Sequence, residues 1–276
     1  MYKIGEGVSG LKMGQKVTIE PQVVCGNCYP CMHGQYNLCE ELKVMGFQIT
    51  GAASEYFTVD VSKITLLPDD MNFDEGAMIE PLAVAVHSVG KAGDVIGKKV
   101  AVIGAGPIVN LVAQATKNLG ADRVMITDII DYRLSLAKEY GVDICVNTRN
   151  KDFGEELVEA FGADKADIIY DCAGNNVTMG QAITHARKGS VIVLVAVFQG
   201  KTEIDLAVLN DHELDLKTSM MYKHEDYVKA IKLVEEGKVQ LKKLISKHFP
   251  FKEYDKAYKY IDDNRETTMK VIIDIN

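Results

Sequence analysis

No part of this 276-residue sequence is apolar for long enough to cross a bilayer. The longest apolar run, VIVLVAVF at 191–198, is well short of the roughly 20 residues a spanning helix needs. A long block of one charge is also missing. Lys plus Arg number 31 and Asp plus Glu 39, and the resulting formal charge of −8 is spread along the chain. That distribution offers no basic face for nucleic acid and no polybasic stretch for an anionic membrane, so small molecules are the expected partners. There is no internal repeat and no low-complexity segment. The first ten residues, MYKIGEGVSG, have no apolar core behind basic residues, so no signal peptide is read there and a cytosolic location is expected.

What is present suits a globular protein of one large or two modest domains, with 47% hydrophobic residues to fill a core. Four of the six cysteines, Cys25, Cys28, Cys31 and Cys39, fall in one turn-rich loop with the spacing C-x2-C-x2-C-x7-C. In a reducing compartment such a cluster seldom forms disulfides, whereas four thiolates complete a tetrahedral zinc site. Burial of the cysteines as small hydrophobes does not account for the loop, since Gly26, Asn27, Pro30, Gly34 and Asn37 give it no core-facing period. Four ligands leave no open position, so this zinc is expected to be structural. His33 in the same loop is expected to be solvated, and Cys145 and Cys172, in VDICVN and IIYDCAG, to belong to the core.

From Lys98 onward strands alternate with helices. KKVAVIGAG (98–106) is an apolar strand ending in glycines, PIVNLVAQATKNLG (107–120) a helix closed by Gly120, and ADRVMITD (121–128) a second strand. DYRLSLAKEYG supplies the next helix. Asp128 lies 22 residues beyond Gly106, where a carboxylate that binds the ribose of a dinucleotide is expected. Gly104 permits the tight turn, Gly106 lets backbone approach a pyrophosphate, and Pro107 suits the first helical position. The third glycine of that fingerprint is replaced by Val109, whose bulk at a helix-on-strand contact is expected to weaken cofactor affinity. Further strands are expected at 165–174, 190–198 and 214–222, with a helix in VTMGQAITHARKG. An amphipathic helix is expected over 225–238, with Val228, Ile231, Leu233 and Val234 on one side. The pattern predicts an α/β, doubly wound parallel sheet that binds NAD(H) in preference to NADP(H).

Across its whole length the sequence resembles the zinc-containing medium-chain alcohol dehydrogenases, nearest to the sorbitol, polyol and butanediol branch. GEGVSGLKMGQKV (5–17) resembles part of a GroES-like barrel, the four-cysteine loop that family's structural zinc lobe, and MIEPLAVAVH (78–87) its active-site helix, followed by KKVAVIGAGPI. The resemblance implies a partial GroES-like catalytic domain over 1–85, a Rossmann NAD-binding domain over 86–222 and a C-terminal segment, 223–276, returning to the catalytic domain. It implies hydride transfer between a secondary alcohol or polyol and NAD, in a homo-oligomer paired through the strand at Leu214–Met220. Ile108, Arg133 and Val197 are expected to complete the cofactor site.

The family also carries, upstream of the GEGV segment, a cysteine and a Gly-His-Glu motif that hold its catalytic zinc. Neither is found here. His33, His87, His185, His212, His224 and His248 are scattered, and DHEL at 211–214 lacks the preceding glycine. Of that metal site the resemblance leaves only Glu80, in the EPL motif. The implied reading is a dehydrogenase without part of its catalytic domain and with impaired activity; a non-catalytic NAD-binding or assembly protein with one structural zinc, and a zinc-free reductase, are the alternatives. Tyr222 matches a substrate-site tyrosine of the polyol branch, while Met221 stands where that branch has arginine. Phe47 is expected either to line the substrate cleft or to be buried in the barrel.

Overall fold

The computed structural model describes residues 1–275. The first third holds short elements separated by turns: β1 (Val17–Ile19), β2 (Gln22–Val23), the single-turn helix α1 (Tyr29–Met32), β3 (Lys43–Val44) and β4 (Ile64–Leu66). β1 pairs antiparallel with β4, and β2 with β3. Helix α2 (Phe73–Ala92) follows. Asn72 and Glu75 close its amino end reciprocally, each side chain accepting the other's backbone N–H at 2.9 and 3.1 Å. The α2 residues Met78, Ile79, Leu82, Ala85 and Val89 are almost wholly buried. The helix packs against β1 and against two helices further along the chain, Pro107–Asn118 and His224–Glu235.

Beyond α2 the chain runs through β5 (Lys99–Ile103), α3 (Pro107–Asn118), β6 (Arg123–Asp128), α4 (Asp131–Glu139), β7 (Ile144–Asn147), α5 (Phe153–Phe161), β8 (Ile168–Asp171), α6 (Asn176–His185), β9 (Val191–Leu194), α7 (Leu206–Asp211) and β10 (Asp215–Thr218). The six strands form one sheet in the order β10-β9-β8-β5-β6-β7, all parallel. Both faces are covered, and the side-chain period of two shows why. Val100, Val102, Val124, Ile126 and Tyr170 face α2 and α3, while Ala101, Ile103, Met125 and Ile169 face α5 and α6. The chain starts at the centre on β5, moves out to β7, and returns to β8 on the other side. The carboxyl ends of β5 and β8 therefore form the switch point at which such sheets take up ligands.

The remaining elements are α8 (His224–Glu235), β11 (Ile245–Pro250), α9 (Tyr254–Asp263) and β12 (Lys270–Asp274), with β11 and β12 paired in parallel. The structure narrows the expected strands at 165–174, 190–198 and 214–222 to four residues each. It also redraws the apolar side of α8. Tyr227, Ala230, Ile231 and Leu233 are buried, whereas Val228 is 50% exposed. Tyr227 heads the buried stripe because it sits three and four residues before Ala230 and Ile231, which leaves Val228 rotated toward solvent. Among the described residues no helix is long and apolar enough to cross a membrane.

Candidate functional site

The four cysteines converge. Their sulfurs lie within 4.8 Å of one another, and Cys25 Sγ and Cys39 Sγ are 3.6 Å apart. Four thiolates around one zinc, each at about 2.3 Å, would stand about 3.8 Å from each other, so the cluster suits that ion with sulfur shifts of no more than about 1 Å. Backbone supports the sulfurs: Cys25 N–H donates to Cys39 Sγ at 3.3 Å and Cys28 N–H to Cys25 Sγ at 3.4 Å. Backbone N–H groups of Glu40 and Cys31 pull the Cys28 thiol down to about 7, while desolvation and the neighbouring thiols push Cys31 up to about 12. His33 stays out of the cluster: it is exposed, stacks on Tyr29 and places Nδ1 2.7 Å from Tyr29 O. All six cysteines are unpaired, and Cys145 and Cys172 pack against the main core.

At the switch point Gly104 adopts φ +100°, and a Cβ there would meet Val109 Cγ2 at 3.4 Å. Val109 is itself buried against this turn, so the helix accommodates the bulk that replaces the third glycine. Gly106 is the N-cap of α3, without a side-chain cap, and Pro107 opens the helix. The N–H groups of that first turn have no intrahelical acceptor and are available to donate to an anion. Asp128 is tied to the turn. Its Oδ2 accepts Ala105 N–H at 2.7 Å, and its Oδ1 accepts Ile129 N–H and Ile130 N–H at 2.7 and 2.9 Å. Arg133 approaches Asp128 at 3.8 Å and donates to Arg265 O at 3.0 Å, which brings the C-terminal segment to the edge of the site. Ile108 is half-buried and Val197, after β9, is 85% exposed.

One residue at this turn escaped the sequence reading. Asn110, wholly buried, donates to Ala105 O at 2.6 Å and so braces the glycine turn from inside the helix. The only signal for it was a polar residue within the apolar run PIVNLVAQA.

Glu80 projects from α2 beside Tyr222. Burial pushes the Glu80 carboxyl above its ordinary range, outweighing the Tyr222 hydroxyl and Lys270, which act the other way. Tyr222 is 1% exposed, and its hydroxyl completes no hydrogen bond of good geometry among the described residues. Burial and the Glu80 charge push that phenol above its ordinary range. Tyr227, edge-on to Tyr222 at 5.1 Å, donates to Ile19 O at 3.1 Å. Phe47 is 84% exposed, so it is not a buried barrel residue.

The cysteine cluster is the only group of three or more potential metal ligands among the described residues. Glu80 belongs to no such group among the described residues.

Comparison with known proteins adds a family. Residues 107–236 match the zinc-binding dehydrogenase family and residues 1–69 the alcohol dehydrogenase GroES-like domain. The L-idonate 5-dehydrogenase of Vitis vinifera is 32% identical over 258 residues, which span 92% of this chain and 70% of the relative. Sorbitol dehydrogenase 1 of Saccharomyces cerevisiae is 31% identical over 280 residues, spanning 99% of this chain and 78% of the relative. The Escherichia coli alcohol dehydrogenase rspB, solved in complex with NADH, superposes with a TM-score of 0.91 at 30% identity, covering 98% of this chain and 80% of its own.

Proposed function

The chain belongs to the zinc-containing medium-chain alcohol dehydrogenase family, and from that premise we propose that it binds NAD(H) at the Gly104–Pro107 turn, carries one structural zinc on Cys25, Cys28, Cys31 and Cys39, and serves hydride transfer between a secondary alcohol or polyol and the nicotinamide. The observation that carries this reading is the Asp128 carboxylate, docked on the N–H of Ala105 within the glycine turn. That position holds the strand end and the phosphate turn as one unit, and sets a negative charge where ribose hydroxyls would donate to it and a 2′-phosphate would be repelled. Pyrophosphate rests on the amino end of α3. Ile108, Arg133 and Val197 complete the cofactor site in this proposal, and Glu80, Tyr222 and Phe47 face the substrate. A catalytic zinc in this family would act as Lewis acid on the alcohol oxygen; the present residues offer toward it Glu80 alone. Supported by the outer position of β10 in the sheet, self-association through that edge belongs to the same proposal.

The ligand count favours a second reading, a NAD-binding protein with one zinc and no turnover. Elemental analysis combined with NADH titration and a polyol oxidation assay separates the two. Two zincs per chain with turnover supports the zinc enzyme, one zinc with turnover a zinc-free reductase, and one zinc with cofactor binding alone the non-catalytic protein. Failure to bind NADH at all would remove all three.

A further inference from the structure

The zinc lobe reaches across the molecule to the segment that carries Tyr222. Asn37 Nδ2 donates to Met220 O at 2.9 Å, and Gln22 Nε2 donates to Tyr222 O at 2.9 Å. Both amides are buried, at 4% and 3% exposure, although they sit in a single 3-10 turn and a two-residue strand. The Tyr36 hydroxyl accepts His224 N–H at 2.6 Å, and His224 Nδ1 lies 2.5 Å from Glu20 Oε1, which also accepts from Thr65 Oγ1 at 3.0 Å. The contacts from Asn37 and Gln22 land on the carbonyls either side of one residue. That residue, Met221, has φ +54°, a left-handed conformation uncommon for a side chain of its size and kept only where surrounding structure enforces it.

Tyr36 and Asn37 belong to the short 3-10 turn Tyr36–Leu38, between the third and fourth cysteines, and Cys39 is its C-cap. A metal that joins Cys31 to Cys39 therefore closes the loop on which Tyr36 and Asn37 stand, while Gln22 holds the same segment from β2 just before the first cysteine.

We propose that the four-cysteine lobe is a positioning clamp: with metal bound it holds Met220–His224 in the left-handed bend that sets Tyr222 against Glu80, and with metal lost it releases that bend. The placement of Tyr222 and Glu80 in the substrate cleft rests on the function proposed above, but the clamp itself concerns the chain's own backbone. Asn37 and Gln22 are positioning residues in this scheme, acting through the segment and not on a substrate.

Hydrogen exchange followed by mass spectrometry tests it without turnover. In the zinc-loaded protein a peptide covering 219–227 should exchange slowly. After zinc is withdrawn by a mercurial thiol reagent and chelator, exchange in that peptide should rise at least tenfold, while a peptide covering β5 keeps its protection. Asn37→Leu should reproduce the faster exchange with one zinc still bound per chain, and Met221→Gly, which removes the strain that the clamp opposes, should make exchange at 219–227 less sensitive to zinc loss. Unchanged protection at 219–227 after zinc removal would overturn the clamp. So would equal loss at β5, since that is general unfolding, and so would a zinc-replete Asn37→Leu protein with the exchange of the unmutated chain. Absence of polyol oxidation bears on the dehydrogenase reading alone, because the exchange measurement uses neither substrate nor cofactor.

Discussion

Replacing Asp128 with asparagine perturbs both the turn that this carboxylate holds in the structure and the cofactor selection proposed for it, and the two effects are read by different assays. Both oxygens are engaged, Oδ2 by Ala105 N–H and Oδ1 by the N–H groups of Ile129 and Ile130, and the side chain is 8% exposed. Asparagine has one acceptor oxygen. Whichever way the amide turns, its NH2 faces a backbone donor and leaves at least one partly buried N–H unsatisfied, a loss of about 1–3 kcal/mol. For a chain of this size that corresponds to a fall in Tm of roughly 2–10 °C. The substitution also removes the negative charge. A carboxylate about 4 Å from a phosphate charge at an effective dielectric near 20 is disfavoured by about 4 kcal/mol, an upper bound of roughly a thousandfold on the penalty against NADPH. Asp128→Asn should therefore lose stability and at the same time narrow the NADH over NADPH preference by one to three orders of magnitude. Scanning calorimetry gives the first quantity and fluorescence titration with each reduced cofactor the second. Equal dissociation constants for NADH and NADPH in the unmutated protein would refute the role of Asp128 in selection. An unchanged Tm in the variant would refute the role of its two oxygens in holding the turn.

Three further outcomes are expected. Cys28→Ser should lower bound zinc and thermal stability together, and elemental analysis finding no zinc in the pure unmutated protein, with all four thiols titrating freely, would count against the cluster as a metal site. Glu80, whose carboxyl is raised by burial, binds its proton more tightly folded than unfolded, so its contribution is most favourable below the unfolded value near 4.3 and is lost as pH rises through the folded value. Glu80→Gln should accordingly raise Tm at pH 7 relative to the unmutated chain and make little difference near pH 4; a lower Tm at pH 7 would show that the ionised carboxylate is satisfied in the fold. Gly174 has φ +70°, and a Cβ there would stand 2.5 Å from Ala196 Cβ, so Gly174→Ala should cost about 1–3 kcal/mol in urea unfolding; a midpoint shift below the error of the measurement would disprove that close approach.

Several parts of the molecule were legible because their information is local. The run KKVAVIGAG followed by a proline-led helix and a strand ending in Asp128 carries its own period and punctuation, and the structure places β5, α3 and β6 in that order. The cysteine spacing is local in the same way, since four ligands within fifteen residues can reach one ion whatever the rest of the chain does. The family resemblance extended that reading to the whole chain. Short or ambiguous signals failed. β7, at Ile144–Asn147, is a four-residue apolar run that fits either period; α5 does carry helical spacing, with Phe153, Leu157, Ala160 and Phe161 buried behind the N-cap Asp152, but it is only nine residues long; and for Val228 spacing alone does not tell which of two adjacent stripes of α8 meets the core.

What only the tertiary structure decided are the contacts between residues far apart in the chain. Gln22 meets Tyr222 across 200 residues and Asn37 meets Met220 across 183, and nothing in the neighbourhood of that asparagine announces that its partner is a backbone carbonyl so far along the chain. The same holds for His87 on α2, which pairs with Asp226 on α8 at 2.8 Å with both side chains largely buried. Local sequence sets which face of a strand or helix is apolar, because neighbouring residues share one backbone period. Which buried polar groups satisfy one another is set when the faces meet, because a hydrogen bond depends on atoms brought within about 3 Å by the packing of everything between them.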